Sequence, residues 1–281
     1  MIDLHVHTTY SDGRLSVPET LHEASARGLR AIAITDHDVI AAVPEALALA
    51  RTTPRLEVVP GIEMTARWED GRAVHVLGYF IDPADAALGA ALERGRELMR
   101  QHVDAVLGEV RAVGGRLDRD DLDRYRTRYA GGAALVFGML DRGVLRGAAP
   151  GTGMRLLRLA AAEPRPYSVA EAVALIHGAG GVASLAHPAR LKRGHPLLSA
   201  EELAPLARQG FDALEAWQWI PNGWGSEHYQ AVARELGLLV SGGSDDHGKR
   251  ATGGRMRLGS QPVPDEILEA LREKAGSPRP A

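Results

Sequence analysis

The 281-residue chain contains no cysteine. That excludes disulfide bridges, thiolate metal ligands and cysteine nucleophiles together, and it fits a reducing compartment. A charge of dominant sign is also missing. The formal net charge is −3, which gives no general electrostatic grip on nucleic acid or membrane, although a local basic patch is compatible with it. No apolar stretch approaches the roughly 20 residues of a spanning helix. The segment from Ile2 to Val6 reads as a strand, without the basic region or apolar run of a signal peptide. The expectation is a cytoplasmic protein with no membrane association. Internal repeats and long low-complexity segments are absent too. What remains, 45% apolar and 25% charged residues, is an ordinary globular composition, long enough for one barrel-sized domain or two smaller ones.

Short strand-like runs alternate with helical patterns through the first third. Ile2–His7, Ala31–Thr35, Leu56–Pro60 and Ala73–Phe80 read as strands. Ser16 with Glu19 forms a capping-box pattern ahead of a helix stopped at Gly28, and a second helix is expected from Ala41 to Arg51. Between Asp82 and Arg165 the strand runs give way to helix-like stretches, Leu88–Val113 and Leu135–Asp141 among them. Residues 83–165 are therefore read as a helical insertion or lid. Alternation then resumes: Ser168 with Glu171 and Ser199 with Glu202 cap two further helices. Val182–Leu185, Ala213–Trp217 and Leu238–Ser241 are strand candidates, and a last helix is expected over Asp265–Lys274. Such alternation implies a parallel sheet. Residues 1–82 and 166–281 would form a barrel-like α/β domain of about seven units, with its chemistry at the C-terminal strand ends.

Metal-competent residues recur where apolar runs end. His5 and His7 lie two apart on a strand and share a face. Asp36-His37-Asp38 follows the second run, Glu63 the third, His187 the run Val182–Leu185, and Asp245-Asp246-His247 the run Leu238–Ser241; His75 lies inside the fourth run. Each piece also has an ordinary reading: Asp36 or Asp38 as a helix N-cap, His75 as a packed side chain. Joint placement favours a metal centre. Six histidines and three or four carboxylates converge on one expected face, while His22, His102, His177, His195 and His228 fall elsewhere. Imidazole and carboxylate without thiolate suit Mn, Zn or Fe. Glu63 is a candidate bridge between two or three divalent metal ions. Such a cluster holds a hydroxide at neutral pH and neutralises phosphoryl charge.

Together these segments resemble the polymerase and histidinol phosphatase (PHP) family. The matching pieces are 3–13 (Asp3-Leu4-His5-Val6-His7 through Asp12-Gly13), 34–38, 61–63, 74–79, 185–188 and 242–248. Most of the chain outside the insertion is covered. The similarity is greatest to stand-alone phosphoesterases that act on nucleoside 3′,5′-bisphosphates or short RNA 5′ ends. The resemblance implies a distorted (βα)7 TIM-like barrel with a trinuclear centre. It assigns His5, His7, Glu63 and Asp245 to one metal. Glu63, His75 and His187 would hold a second, and Asp12, His37 and His247 a third. Asp12 stands where some relatives have histidine. The insertion departs from the pattern: Ala130-Gly131-Gly132-Ala133-Ala134-Leu135 replaces the Gly-Arg-Pro-His-like segment of nucleotide-cleaving relatives.

The expected chemistry is hydrolysis of a phosphate ester by a metal-bridging hydroxide. Glu63, Asp246 and His187 are the candidate catalytic residues, the last two as alternative proton donors to the leaving group. Arg190, three residues beyond His187, is the first candidate for holding substrate phosphate, with Arg155 and Arg158 in the insertion as others. Trp217, Trp219 and Trp224 either stack a base or sugar or pack beneath a loop. Three readings follow. One is a phosphatase for a small nucleotide or sugar phosphate, bisphosphates included. Another is a phosphodiesterase or 5′→3′ exonuclease on cyclic phosphates or short oligonucleotides. The third is a metal-stabilised structural module. Long nucleic acid is disfavoured by the acidic balance.

Overall fold

The computed structural model describes residues 1–53, 55–123, 131–144, 150–192, 197–218, 225–248 and 257–277. Among the described residues eight strands occur in order: β1 (Ile2–Val6), β2 (Ala31–Ile34), β3 (Glu57–Arg67), β4 (Ala73–Tyr79), β5 (Tyr167–Ser168), β6 (Val182–Leu185), β7 (Ala213–Trp217) and β8 (Leu239–Gly242). The helices are α1 (Val17–Ala26), α2 (Ala42–Ala50), α3 (Ala86–Ala112), α4 (Arg119–Asp123), α5 (Gly132–Asp141), α6 (Thr152–Ala161), α7 (Val169–Gly178), α8 (Ala200–Ala207), α9 (Gly225–Glu235) and α10 (Asp265–Gly276).

The strands form one curled sheet in the order β1-β2-β3-β4-β6-β7-β8, with the two-residue β5 added to β3. Neighbours are parallel except around β4, which runs antiparallel to both β3 and β6. This departs from the all-parallel expectation, and the reason is local. A turn at Gly71, with φ of +84°, joins β3 directly to β4 as a hairpin, so no crossover helix intervenes. β3 also runs seven residues beyond the expected end at Pro60, which places Glu63 within a strand rather than after one. The six remaining strands of the path share one direction, so their C-terminal ends form one rim. The rim closes where β1 meets the segment after β8. His7 N–H donates to Asp246 O at 3.0 Å, and Asp246 N–H points back at His5 O at 3.4 Å.

Burial explains the local choices. All five residues of β1 are buried, as in strands covered on both faces. Ile2, Leu4, Ala33, Val59, Leu77 and Tyr79 meet inside the sheet against Ile267, Leu268 and Leu271 of α10. A second core lies between the sheet and α7, α8 and α9, and a third between the sheet and α1 and α2. α3 joins two regions. Its first turns bury Leu88, Ala91 and Leu92 in the main core, while Met99, Val103, Val106 and Val110 pack with Leu135, Met139 and Leu156 of α5 and α6 in a separate cluster. Each fully buried aliphatic side chain of this size contributes about 1.5–3 kcal/mol. The three expected capping pairs are formed: the carboxylates of Glu19, Glu171 and Glu202 accept from the backbone N–H of Ser16, Ser168 and Ser199 at 2.8, 2.7 and 3.0 Å. None of the helices among the described residues is long and apolar enough to cross a membrane.

Asp212, ahead of β7, ties three elements together at the end of the sheet opposite the rim. Its carboxylate accepts from Ala183 N–H at 3.0 Å and His177 Nε2 at 2.7 Å, and pairs with Lys274 Nζ at 3.3 Å. Burial raises its pKa, but these partners outweigh that and hold it below the ordinary carboxylate value. Its contribution to stability is therefore present above the unfolded-state pKa of about 3.9 and disappears as pH falls through the lower folded-state value. Asp212→Ala, which strands the buried Ala183 N–H, is expected to cost about 1–3 kcal/mol at neutral pH. Urea unfolding of both proteins checks this, and the gap between them should narrow on acidification below pH ~4.

Candidate metal centre

Strand register brings the candidate ligands to the rim. Period-two alternation aims Asp3, His5 and His7 away from Leu4 and Val6. In the β3–β4 hairpin Thr65 stands opposite His75, which makes Glu63 the diagonal neighbour of His75 on the same face. His75 Nδ1 lies 2.9 Å from Glu63 Oε1. Pairing of β4 with β6 continues through Ala186 N–H to His75 O at 3.1 Å, and the next residue, His187, puts Nε2 3.0 Å from the same Glu63 oxygen. Gly243 passes so close to His5 that no Cβ would fit. That contact requires glycine and brings Asp245 over β1.

Glu63 is the hub. Its Oε2 has His5 Nε2 at 3.1 Å, His7 Nε2 at 3.2 Å and His37 Nδ1 at 3.3 Å. Asp245 Oδ1 lies 3.5 Å from His5 Nε2 and 3.3 Å from His7 Nε2. Asp12 Oδ1 lies 3.2 Å from His247 Nε2 and 3.7 Å from His7 Nδ1. Ligand atoms within 4.8 Å of one another form three overlapping groups: His5, His7, Glu63 and Asp245; His37, Glu63 and His75; and His7, Asp12, His37 and His247. His187 joins the second group through Glu63 Oε1.

These groups fit metal ions better than they fit one another. His5 Nε2, both ring nitrogens of His7, His37 Nδ1, Glu63 Oε2 and His187 Nδ1 are buried without a hydrogen-bond partner. The distances of 3.1–3.3 Å around Glu63 Oε2 therefore bring these atoms close without hydrogen-bond alignment. Ligands at about 2.0–2.2 Å from a shared ion sit roughly 3–3.5 Å apart, which is the spacing seen. A buried polar atom left unpaired costs about 1–3 kcal/mol, and this concentration of them marks a built cation site. Ligand atoms this close also strongly perturb one another's protonation. Burial lowers His7, yet the adjacent carboxylates of Asp245, Glu63 and Asp12 raise it to about 10. Burial, with the charges on His7 and His75, takes His37 down to about 3 although Glu63 and Asp12 oppose this. Burial raises Glu63 and Asp12, but the histidines around each hold both well below the carboxylate range.

Three buried acids support the candidate ligands from behind. Asp36 accepts from Thr8 N–H at 2.8 Å, Thr8 Oγ1 at 2.7 Å, Ser11 N–H at 3.2 Å and Ser11 Oγ at 2.5 Å, fixing the turn that carries Asp12. Asp3 accepts from Ser244 N–H at 2.9 Å and Gly259 N–H at 2.7 Å, and burial lifts its pKa to about 6 against those bonds. Glu215, fully buried in β7, lies 2.8 Å from His5 Nδ1. Asp3 and Asp36 stand within the recognisable segments, so proximity to His5 and His37 was an available signal. Glu215 had no such neighbour in sequence.

The other candidates take separate places. Asp246 is buried, and its carboxylate accepts from Gly248 N–H at 3.0 Å and Arg257 N–H at 2.6 Å, which makes it an organiser of the loop bearing Asp245 and His247. Arg190 Nη1 reaches Asp245 Oδ2 at 2.6 Å while remaining 43% exposed. Arg155 instead pairs with Glu109 of α3 at 2.7 Å, and Arg158 is exposed on α6. Trp217 packs against the core; Trp219 and Trp224 lie outside the described residues, as do Ala130 of the insertion and His195. Of the histidines without an assigned role, His102 and His228 bond backbone carbonyls and His177 bonds Asp212.

A curled α/β sheet with clustered histidines and carboxylates at its rim defines a metal-dependent hydrolase. Residues 3–163 match the PHP domain. The chain is 31% identical to the 5′-3′ exoribonuclease Rnm of Salmonella typhimurium over 87% of its own length and 84% of that protein. It is also 31% identical to the 3′,5′-nucleoside bisphosphate phosphatase of Chromobacterium violaceum, over 88% and 87%. A crystal structure from Bifidobacterium adolescentis, provisionally classed as a metal-dependent phosphoesterase, superposes with a TM-score of 0.79 at 27% identity, covering 99% of this chain and 96% of that one. The chain belongs to the PHP domain family and is a metal-dependent phosphoric ester hydrolase.

Because the cores are apolar and separate from the rim, removing metal should loosen the site without unfolding the protein. Chelation of metal-loaded protein is expected to lower the thermal midpoint by about 5–10 °C, taking metal at ~100 times its Kd as worth about 2.7 kcal/mol and ~2–4 °C per kcal/mol for a chain of this size. Differential scanning calorimetry checks it, with recovery on adding back Mn or Zn and an unchanged far-UV spectrum throughout.

Proposed function

We propose that the protein is a phosphatase for small phosphorylated metabolites such as nucleoside bisphosphates or sugar phosphates, working with three divalent metal ions held by nine side chains. His5, His7, Glu63 and Asp245 would hold the first, Glu63, His75 and His187 the second, and Asp12, His37 and His247 the third. The observation that carries this reading is Glu63, whose two carboxylate oxygens each face a different set of histidines. Bound divalent ions supply a strongly acidified water and neutralise charge developing on phosphoryl oxygens.

The chain's own residues do the rest. Glu63, buried and ionised, holds His5, His7 and His37 on one side and His75 and His187 on the other. Asp246 fixes the loop of Asp245 and His247 through the backbone N–H groups of Gly248 and Arg257. Arg190 is partly exposed beside Asp245, so its guanidinium can exchange a carboxylate partner for an incoming phosphate, a ligand its planar fork matches. Both Asp246 oxygens accept backbone N–H groups, so that carboxylate serves the loop, and His187, with Nε2 turned to Glu63, serves the second ion. Residues 83–165 are read as a lid over a barrel made of 1–82 and 166–281. The small-substrate reading rests on the missing Arg-Pro-His-like segment and on the acidic balance of the chain.

A second reading is favoured by the Salmonella relative: cleavage of short 5′-phosphorylated oligonucleotides. A hydrolysis screen that follows the organic products by chromatography beside inorganic phosphate separates the two, since cleavage of a diester or a cyclic phosphate releases no inorganic phosphate. Nucleoside 3′,5′-bisphosphates and sugar phosphates should be hydrolysed at least tenfold faster, by kcat/KM, than cyclic phosphates or 5′-phosphorylated oligonucleotides, and the reverse order would replace the first reading with the second. A metal-loaded protein that hydrolyses none of them would favour a structural role. Glu63→Gln should lose at least ~10³-fold in kcat, the scale of an essential electrostatic group, together with bound metal. Elemental analysis beside the kinetics checks both, and retained activity at full metal content would sink the proposed role of Glu63.

A further inference from the structure

Glu215 is absent from the nine proposed ligands, yet it touches two of them. Its side chain is fully buried. Oε1 lies 2.8 Å from His5 Nδ1, and Oε2 accepts the backbone N–H of His187 at 2.5 Å. His5 points its other nitrogen, Nε2, at Glu63 and Asp245. His187 presents Nε2 to Glu63 from a backbone held at φ +26°, a conformation that L residues adopt at a cost. Gln218 reinforces the same junction, donating to Glu215 O at 2.9 Å and accepting from Ala189 N–H at 3.1 Å.

From this geometry we infer that Glu215 is a positioning residue that couples two metal subsites. One oxygen accepts the proton on His5 Nδ1, which fixes the tautomer and leaves the Nε2 lone pair for the ion shared with His7 and Asp245. The other oxygen anchors the strained turn at His187, which serves the neighbouring ion. A buried carboxylate would be an expensive way to hold a strand in place; a group that sets ring orientation and tautomer at a metal ligand accounts for it. The inference rests on the proposed metal centre.

Glutamine tests it with little change of shape. Its one carbonyl oxygen can accept from His187 N–H only by turning its amide NH2 toward His5 Nδ1. That reverses the His5 tautomer and puts a proton on Nε2. The opposite flip sets two donors against each other at His187. Either way one subsite is disturbed.

The experiment loads wild type and Glu215→Gln with Zn and measures equivalents bound and Kd, with far-UV circular dichroism and the thermal midpoint as checks on folding. The expected result is a folded variant that binds at least one ion 10–100-fold more weakly, as for other residues that hold a metal ligand from behind. Equal Zn content and equal Kd would overturn the role of Glu215 and leave the metal centre standing; wild type that binds no Zn would overturn both. A second measurement needs no variant. Proton–nitrogen NMR of 15N-labelled, Zn-loaded wild type should show a slowly exchanging Nδ1–H on His5, with Nε2 as the coordinating nitrogen. Coordination through Nδ1, or no protected ring proton, would overturn the inference even if Glu215→Gln does not fold.

Discussion

The rest of the site depends on one buried carboxylate. Glu63 has no solvent exposure, and an ion in that position carries a desolvation penalty of several kcal/mol unless it is compensated. Compensation comes from five histidines that belong to four strands or their ends. Because β3 is flanked by β2 on one side and β4 on the other, a side chain in its middle is the one place from which all five can be reached. The antiparallel turn of β4 matters here. It brings His75 back alongside Glu63 and lets β6 deliver His187 to the same oxygen. Without that reversal the second group of ligands would have no common centre.

Charge is distributed with the same economy. Two carboxylates at the rim, Asp12 and Asp245, both approach His7, and Arg190 pairs with the other oxygen of Asp245. The buried acids Asp3, Asp36 and Asp246 hold backbone N–H groups of the loops. They give the loops a fixed shape in a region where backbone hydrogen bonds between strands have run out. The site is thus built in two layers, one able to hold metal ions and one that holds the loops.

Much of this was legible in the sequence. His5 and His7 share a face because a strand has period two, and Glu63, His187 and Asp245 follow apolar runs that read as strand candidates. The capping serines at 16, 168 and 199 marked three helix starts through a local mechanism that tertiary packing did not override. The direction of β4 was not legible, since a short link and a crossover both begin with turn residues. The true length of β3 was hidden by Pro60, which reads as a strand end although its missing N–H is tolerated there. Glu215 could not be found from its neighbours either. It sits in a strand that reads as core, 210 residues from the histidine it touches, and only the closed sheet brings them together.

That closure has a consequence for how the protein comes to be active. The β1 ligands face Asp245 across a seam between the first strand and the segment after the last one. Contacts so distant in sequence form late, because the chain between them must first lose its freedom. A partly folded chain can therefore own most of its hydrophobic core and still have no competent site. An ion seated across the seam would act as a latch on the finished barrel, so that metal occupancy reports completion of the fold as well as readiness for chemistry.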